Sequence, residues 1–370
     1  MPTSILLITG IFPPDSGGPS KFAMEFAEWA SQKNLEVGVR TYSDSQELET
    51  NIYKIDITRI LRSHKLPFRY SQMVRSIGRN QSKAISILAV GAFLETYIAS
   101  IIYRFTYAVK VPGDIVWERA RNNQVTELNI AEFQIQKLNF KYRIFRKLYS
   151  NSLKRASKVI VPSKGLYNLC LNWGVKEEKL HLIYNSVAIL DSINLPTDHY
   201  EYDLVTVCRL VSWKGVDELI EYSAERNLRL VVAGDGPEKQ NLETLARNLG
   251  AKVIFLGEVS NQSVNQLFSK SRVFVLNSYY EGLPHALVEA RVAGIVTVGR
   301  AGTGSEEVIN DDIDGFLIRS DRSLEATIDF AIASAGKTTV YTERAKIDSL
   351  SRFNKEHNYN EILSTIQGNK

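Results

Sequence analysis

At 370 residues and 41.7 kDa, with 44% hydrophobic and 23% charged residues and a mean hydropathy of -0.15, the chain has room for about two and a half domains of an ordinary soluble globular kind, and these figures exclude disorder, collagen and coiled coil. Two cysteines, Cys170 and Cys208, are too few and too far apart for a disulfide framework or a zinc cluster, and they read as reduced core thiols of a cytoplasmic protein. The net charge of +4 is modest but unevenly spread: Ile57 to Leu94 holds seven Lys/Arg and no Asp/Glu, and Phe133 to Lys176 holds ten and none.

In chain order, Ser4–Thr9 predicts a strand, with too short an apolar run (Ile5 to Ile8) and no basic region ahead of it to suggest a signal peptide. A Pro/Gly-rich loop from Phe12 to Pro19, a helix through Phe22–Ala30 and a strand Val37–Thr41 follow. The apolar stretch Ala84 to Phe105 is about long enough to span a bilayer. Glu95 near its middle and Gly91, Ser86, Thr96 and Ser100 argue instead for a strand Ile85–Val90, a helix over about Ala92–Tyr103 and a strand Tyr107–Val111. After a long basic helical region come Lys158–Pro162 as strand, a helix from Gly165 and a strand Leu180–Tyr184. The basic stretches are either a solvated face or a surface turned to something anionic, a membrane leaflet or a phosphate-bearing acceptor. The interleaved Phe140, Tyr142, Ile144, Phe145, Leu148 and Tyr149 fit an interfacial face and equally a helix packing on the core.

Ser186 to Tyr202 is polar, contains Pro196 and reads as a linker. A second alternation follows, with strands Asp203–Cys208, Arg229–Ala233, Lys252–Leu256, Val273–Leu276 and Ile295–Val298 separated by helical segments, and the tail from Ser349 to Ile366 reads as one closing helix. The expected architecture is α/β: two Rossmann-like domains with doubly wound parallel sheets facing a cleft. Residues 1–190 form the first and 200–345 the second, and a terminal helix of about 349–370 packs back on the first.

The chemistry sits in the second alternation. Glu281-Gly282-Leu283-Pro284-His285 and, eight residues after Glu281, Glu289 follow a strand. Pro284 suits the first turn of a helix, whose free N–H groups favour phosphate while carboxylates suit sugar hydroxyls. A helix-entry acid and a surface acid would give the same pair. Arg209 and Lys214, with Gly215, follow another strand, where two cations could clamp a diphosphate. Gly234-Asp-Gly-Pro237 and Gly257-Glu258-Val259 each follow a further strand. All four loops fall on one edge of one sheet.

These motifs, in this order and spacing, resemble retaining glycosyltransferases of the GT-B fold, the class called glycosyltransferase family 4, over nearly the whole chain. The resemblance implies that Arg209 and Lys214 bind the donor's diphosphate, that Glu281 holds the donor sugar and Glu289 the ribose, and that Glu258 and Val259 lie beside the base. It extends to Gly234, to Gly282, Leu283, Pro284 and His285 around the donor, and to Glu307 at the end of a later Gly-rich loop. In the first half, Gly17 and Gly18 resemble the family's first donor loop, and Gly113-Asp114-Ile-Val-Trp117-Glu118-Arg119 resembles a sub-group's acceptor-side loop. Asp114 stands where many relatives place a catalytic-site His and is expected to orient the acceptor or stabilise the transition state. Asn185 falls where relatives have Asn-Gly, with Ser186 in place of the glycine.

The implied activity is transfer of a hexosyl group from a UDP- or GDP-linked sugar to a glycan or polyprenyl-linked glycan, with retention, without metal or cofactor, at the inner face of a cell membrane. Bacterial surface polysaccharide synthesis is the implied setting. Asp312-Ile-Asp314 is formally a metal-binding D-x-D but lies among turn-formers and reads as turn chemistry. The five histidines lack metal-ligand spacing, and no nucleic-acid motif is present. A nucleotide-sugar epimerase and a non-catalytic peripheral membrane protein are the alternatives.

Overall fold

A computed structural model describes residues 4–15, 17–45, 55–79, 85–128, 130–186, 200–335 and 339–368. The chain divides into two compact units, Met1–Ile183 with Tyr359–Lys370, and Tyr184–Asn358. Most of the segment read as a linker, 187–199, lies outside the described residues.

The first unit holds a seven-stranded, wholly parallel sheet. Its strands are β1 (Ser4–Ile8), β2 (Glu36–Ser43), β3 (Ile55–Leu61), β4 (Ile85–Ala89), β5 (Ala108–Lys110), β6 (Lys158–Val161) and β7 (Leu180–Leu182), in the order β3-β2-β1-β4-β5-β6-β7. β3 is a strand that the sequence expectations, which name none between Val37–Thr41 and Ile85–Val90, do not contain. Its sequence, IDITRIL, alternates polar and apolar because it is an edge strand, wetter than the continuous apolar runs of the interior. Ala84 to Phe105 is strand and helix: β4 leads into Phe93–Ile102, and the acid that breaks its apolar run, Glu95, is buried and accepts 2.6 Å from the Tyr42 hydroxyl. Among the described residues no helix is long and apolar enough to cross a membrane.

The second unit holds a six-stranded parallel sheet. Its strands are β8 (Tyr202–Val207), β9 (Arg229–Ala233), β10 (Lys252–Gly257), β11 (Ser271–Val275), β12 (Val296–Arg300) and β13 (Phe316–Ile318), ordered β10-β9-β8-β11-β12-β13. Both faces are covered, and the two-residue period of a strand sorts its side chains between them. Leu204, Leu230, Val232, Val273 and Val275 pack beneath helices Val216–Glu225, Lys239–Leu249 and Leu324–Ser334. Val205, Val231, Ala233, Phe274 and Leu276 pack on the other face with Leu287 and Val288 of helix His285–Ala293 and with Leu267 and Phe268 of helix Asn261–Lys270.

The closing segment corrects the reading of one helix. It is two, Thr339–Arg352 and Lys355–Gln367, and Asn354 between them accepts the amide of His357 at 2.9 Å, the side-chain cap that starts a new helix. From Tyr359 onward the chain belongs to the first unit. The Tyr359 ring there meets Phe22, Phe26 and Trp29 of helix Gly18–Gln32 edge-on at centroid distances of 5.3–6.0 Å.

Candidate active site

Six parallel strands end on one edge of the second unit's sheet, and strand order decides which loops meet there. The loops after β10, β9, β8 and β11 are consecutive, and the order reverses between β8 and β11. At such a reversal adjacent loops turn to opposite faces and leave a crevice, where open α/β sheets bind ligands. Arg209 and Lys214 stand on one side of it and Glu281 on the other.

The loops after β8 and β9 are laced together. Leu210 donates its amide to Asp235 at 2.9 Å, and Glu238 donates its own to Leu210 at 3.1 Å. The backbones approach so closely that a Cβ on Gly234, which has φ +132°, would lie 1.9 Å from the Cys208 carbonyl oxygen, and one on Gly236 would lie 2.2 Å from that of Leu210. Glycine is required at both for close contact, and at Gly234 for its backbone conformation as well. Glu258 is exposed and Val259 half-buried just after β10.

Lys214 closes a short 3-10 turn, Ser212–Lys214, and Gly215 (φ +58°) starts helix Val216–Glu225 in the left-handed conformation. Its Nζ donates to Oε1 of Glu281 across the crevice, and the two side chains are only 15% and 14% exposed. Arg209 is exposed and enters none of the ion pairs found among the described residues. The site therefore contains one cation already paired with a carboxylate and one cation open to an anion.

Glu281 is fixed from behind. Gly304 donates its amide to the Glu281 carbonyl at 3.0 Å, and a Cβ on Gly304 would lie 2.6 Å from the carbonyl oxygen of Gly282. Helix His285–Ala293 begins one residue later than the sequence suggested, with Pro284 at the N-cap rather than within the first turn. Leu283 and Pro284 are buried, and Gly282 and Glu289 half-buried. His285 Nε2 lies 3.1 Å from Asn185 Nδ2, which draws in the Asn that stands where the resemblance places Asn-Gly. Glu307 sits on the short helix Ser305–Val308, and its carbonyl accepts from Arg352.

Sequence reasoning missed a polar network behind Lys214. Asn277 is fully buried at the end of β11 and donates to Gly215 O at 3.0 Å and to Glu218 Oε2 at 3.1 Å. Its oxygen accepts from Arg300 Nε at 3.1 Å, and Arg300 also pairs with Glu218. The Arg300 guanidinium stacks 4.0 Å from the Tyr279 ring, and the Tyr279 hydroxyl donates to Glu218. The available signal was Asn277 itself, a polar residue directly after four apolar ones at a strand end.

In the first unit Gly17 (φ +137°) and Gly18 open helix Gly18–Gln32. The loop before them is pinned by Arg59 donating to Pro13 O at 2.8 Å, by Ser20 Oγ donating to Asp15 O at 2.6 Å and by the Arg62–Asp15 ion pair. The Arg62 hydrogen bond holds the Asp15 carboxyl below the usual carboxylate range. Arg59 and Arg62, counted with a basic surface in sequence, are thus partly interior struts.

Asp114 departs most from expectation. It is fully buried and caps helix Ile115–Asn122, with Oδ1 accepting from the amides of Val116 at 3.0 Å and Trp117 at 3.1 Å and Oδ2 from Gln134 at 2.8 Å. Gln134 in turn accepts from Trp173 Nε1 at 3.1 Å. Burial raises the Asp114 pKa, and these donors offset part of that rise. A carboxylate held this way has a structural role, starting helix Ile115–Asn122. Trp117 is buried, its Nε1 donating to Leu128 O at 2.9 Å, whereas Glu118 and Arg119 are exposed on the same helix. We expect Asp114→Ala to lose about 1–3 kcal/mol of stability in urea denaturation through three orphaned donors, and Asp114→Asn to lose less while keeping turnover within about threefold. A hundredfold loss of turnover in a stable Asp114→Asn variant would return Asp114 to the chemistry.

Asp312 and Asp314 do serve a turn. Asp312 has φ +61° and pairs with Arg322 at 2.6 Å. Asp314 accepts from the Asn310 amide at 2.8 Å and Asn310 Nδ2 at 2.7 Å, and pairs with Arg291 at 2.7 Å. Among the described residues no group of three His, Cys, Asp or Glu could hold a metal ion.

Comparison with known proteins bears on this geometry. Residues 191–365 match the family model described as glycosyl transferases group 1. An uncharacterized glycosyltransferase of Methanocaldococcus jannaschii is 26% identical over 238 residues, 58% of this chain and 61% of its own. A Campylobacter jejuni enzyme named as an alpha-1,4-N-acetyl-D-galactosaminyltransferase acting on an undecaprenol-linked glycan is 36% identical over 103 residues, 28% of each chain. The chain thus spans less than two thirds of these relatives. Anabaena HepE, solved in complex with UDP and glucose, superposes with a TM-score of 0.76 at 19% identity over 99% of both chains. The fold is GT-B, two parallel-sheet α/β domains.

Proposed function

We propose that this chain, whose residues 191–365 match the family model described as glycosyl transferases group 1, moves a sugar from a nucleoside diphosphate to a glycan or lipid-linked glycan acceptor, with retention of configuration and without a metal. The observation that carries this reading is the crevice between β8 and β11. It presents the exposed Arg209, the Lys214–Glu281 ion pair and the start of helix His285–Ala293 on one sheet edge.

Each part suits one portion of such a donor. Arg209 and Lys214 meet the diphosphate, together with first-turn amides of the helix, where the dipole favours an anion. As the bond from sugar to phosphate breaks, negative charge grows on the departing diphosphate, and a donor aimed at it contributes roughly 3 kcal/mol. Glu281, held by Gly304, accepts hydrogen bonds from the sugar's hydroxyls. Glu289 lies one helical turn further from the diphosphate and suits the ribose, and the exposed edge at Glu258 and Val259 suits the base.

The test is calorimetric titration of the purified protein with UDP, GDP, ADP and NAD in the presence of a chelator. Binding of one nucleoside diphosphate, weakened about tenfold or more by Arg209→Ala, is expected. Binding of NAD alone, or of no nucleotide, would remove the reading.

The lipid-linked acceptor and the membrane are supported by how the first unit disposes its basic helix Phe140–Arg155. Tyr142 and Tyr149 are buried, whereas Phe140 and Ile144 are exposed beside the exposed Lys141, Arg143 and Lys147. Apolar tips among cations suit the interfacial zone of an anionic leaflet, where each basic residue contributes about 1 kcal/mol. Co-sedimentation with vesicles containing phosphatidylglycerol should therefore drop several-fold in a Phe140→Ser/Lys141→Glu/Arg143→Glu variant. Equal sedimentation with neutral vesicles would count against a membrane role.

A further inference from the structure

The sheet edge continues past the donor crevice. Beyond β11, the ends of β12 and β13 border an open pocket of about 720 Å³, lined by Tyr279, Arg300, Glu306, Arg319, Ser320 and Asp321 among others. That volume is within the range of small-molecule sites. Of these residues, Tyr279 and Arg300 also belong to the polar network behind Lys214, and Tyr279 is two residues from Glu281. Gly302, which also borders the pocket, starts the loop whose Gly304 holds the Glu281 backbone.

The lining has a definite chemistry. Its two cations are balanced by two acids, and both cations are already occupied: Arg300 pairs with Glu218 at 3.1 Å, and Arg319 with Asp311 at 3.0 Å and Asp321 at 3.1 Å. A phosphate or sulfate would have to displace these carboxylates and gains little. A neutral, hydroxyl-rich ligand can use the N–H donors left over on the guanidiniums and the lone pairs left over on the acids without breaking an ion pair. Tyr279 adds a half-open aromatic face. Tyr279 as a residue is 48% exposed, and its ring is held by Arg300 at 4.0 Å and by its hydroxyl bond to Glu218. A rigid ring beside convergent donors and acceptors is what a pyranose needs, since its C–H face lies on the ring while its rim of hydroxyls is bonded from the sides. The floor is equally rigid. Arg319 and Arg322 bond to each other's backbone at 3.0 and 3.2 Å, closing the turn that carries Ser320 and Asp321.

We propose that this pocket is a second carbohydrate subsite, binding a neutral sugar residue of a glycan beside the sugar that Glu281 holds. The inference rests on the sugar-transfer reading for the source of its ligand, but not for its chemistry. It makes the second unit a reader of the glycan as well as the holder of the donor.

The experiment is binding of the full chain to an array of defined bacterial oligosaccharides, neutral and acidic, with and without the nucleoside diphosphate that the calorimetry selects. Retention on a subset of neutral members is expected in both conditions. Tyr279→Ala and Arg319→Ser should weaken it at least tenfold, and Tyr279→Phe, which keeps the ring, should restore most of it. Arg319 lies on an exposed turn, so its variant carries the test even where the loss of Tyr279 disturbs the loop. Retention on no member, on acidic members only, or equally by the variants would overturn the proposal. The two readings separate cleanly. A protein that binds the nucleotide but no glycan has lost only this pocket, and one that binds glycans but no nucleotide has lost only the donor site.

Discussion

Glu281→Ala is expected to lower sugar transfer by about a hundredfold or more while leaving nucleoside diphosphate affinity unchanged or higher. The sign of the second effect comes from the ion pair. Lys214 Nζ is bonded to Glu281 in a place where both side chains are largely buried, so a diphosphate must compete with that carboxylate for the ammonium. Removing Glu281 leaves Lys214 free to turn wholly to phosphate, and it removes the repulsion between the carboxylate and the incoming anion. What is lost is the grip on the sugar, which matters only when the sugar must be oriented for attack. Lys214→Ala should behave oppositely and lose both affinity and turnover, because the cation proposed to neutralise the leaving group is gone. Calorimetry with the bare nucleotide, set beside turnover of the intact donor, reads the two effects apart. Unchanged turnover in Glu281→Ala would sink the assignment of the crevice.

This asymmetry rests on contacts that the sequence could announce only in part. Arg209, Lys214, Glu281 and the Gly234 loop were legible because each follows a buried strand, and parallel strands deliver their following loops to one edge whatever the details. The pairing of Lys214 with Glu281 was not legible, since they are 67 residues apart and meet only because β8 and β11 are neighbours at the reversal of strand order. Asn277 was hidden for the same reason: its partners are Gly215 and Glu218 at the start of the helix after β8 and Arg300 at the end of β12. Asp114 carries a different ambiguity. A buried N-cap and a catalytic acid share the pattern of an acid just after a strand and before a helix, and only its three donors distinguish them. β3 escaped because an edge strand carries half the apolar signal of a central one, and its one arginine, Arg59, was counted as surface charge although it braces the Pro13 loop.

The largest stability effect is expected away from the crevice, at Arg291→Met. Arg291 lies in helix His285–Ala293, and its guanidinium is completely buried. It pairs with Asp314 at 2.7 Å and Asp348 at 3.2 Å, and donates to Ser349 Oγ at 3.0 Å. It thereby ties the helix that follows the Glu281 loop both to the turn before β13 and to the helix Thr339–Arg352. Breaking a buried pair by removing one member leaves the other charge stranded, at a cost of about 3–5 kcal/mol. Burial alone would raise the Asp314 pKa, but the Arg291 hydrogen bond and charge, with Asn310, hold it below the ordinary value. A folded pKa below the unfolded one means that the pair stabilises fully above the unfolded carboxylate range, near pH 4, and loses its contribution as pH falls through the folded value. In Arg291→Met the shift reverses, because Asp314 keeps the burial without the cation, and acid then relieves the stranded charge by protonating it. Both effects act in one direction, so the deficit of the variant in urea denaturation should be largest near pH 7 and shrink toward pH 4. Arg291→Met/Asp314→Asn should recover part of the loss at pH 7 and flatten this pH dependence. A deficit independent of pH would mean that Arg291 acts through packing rather than charge.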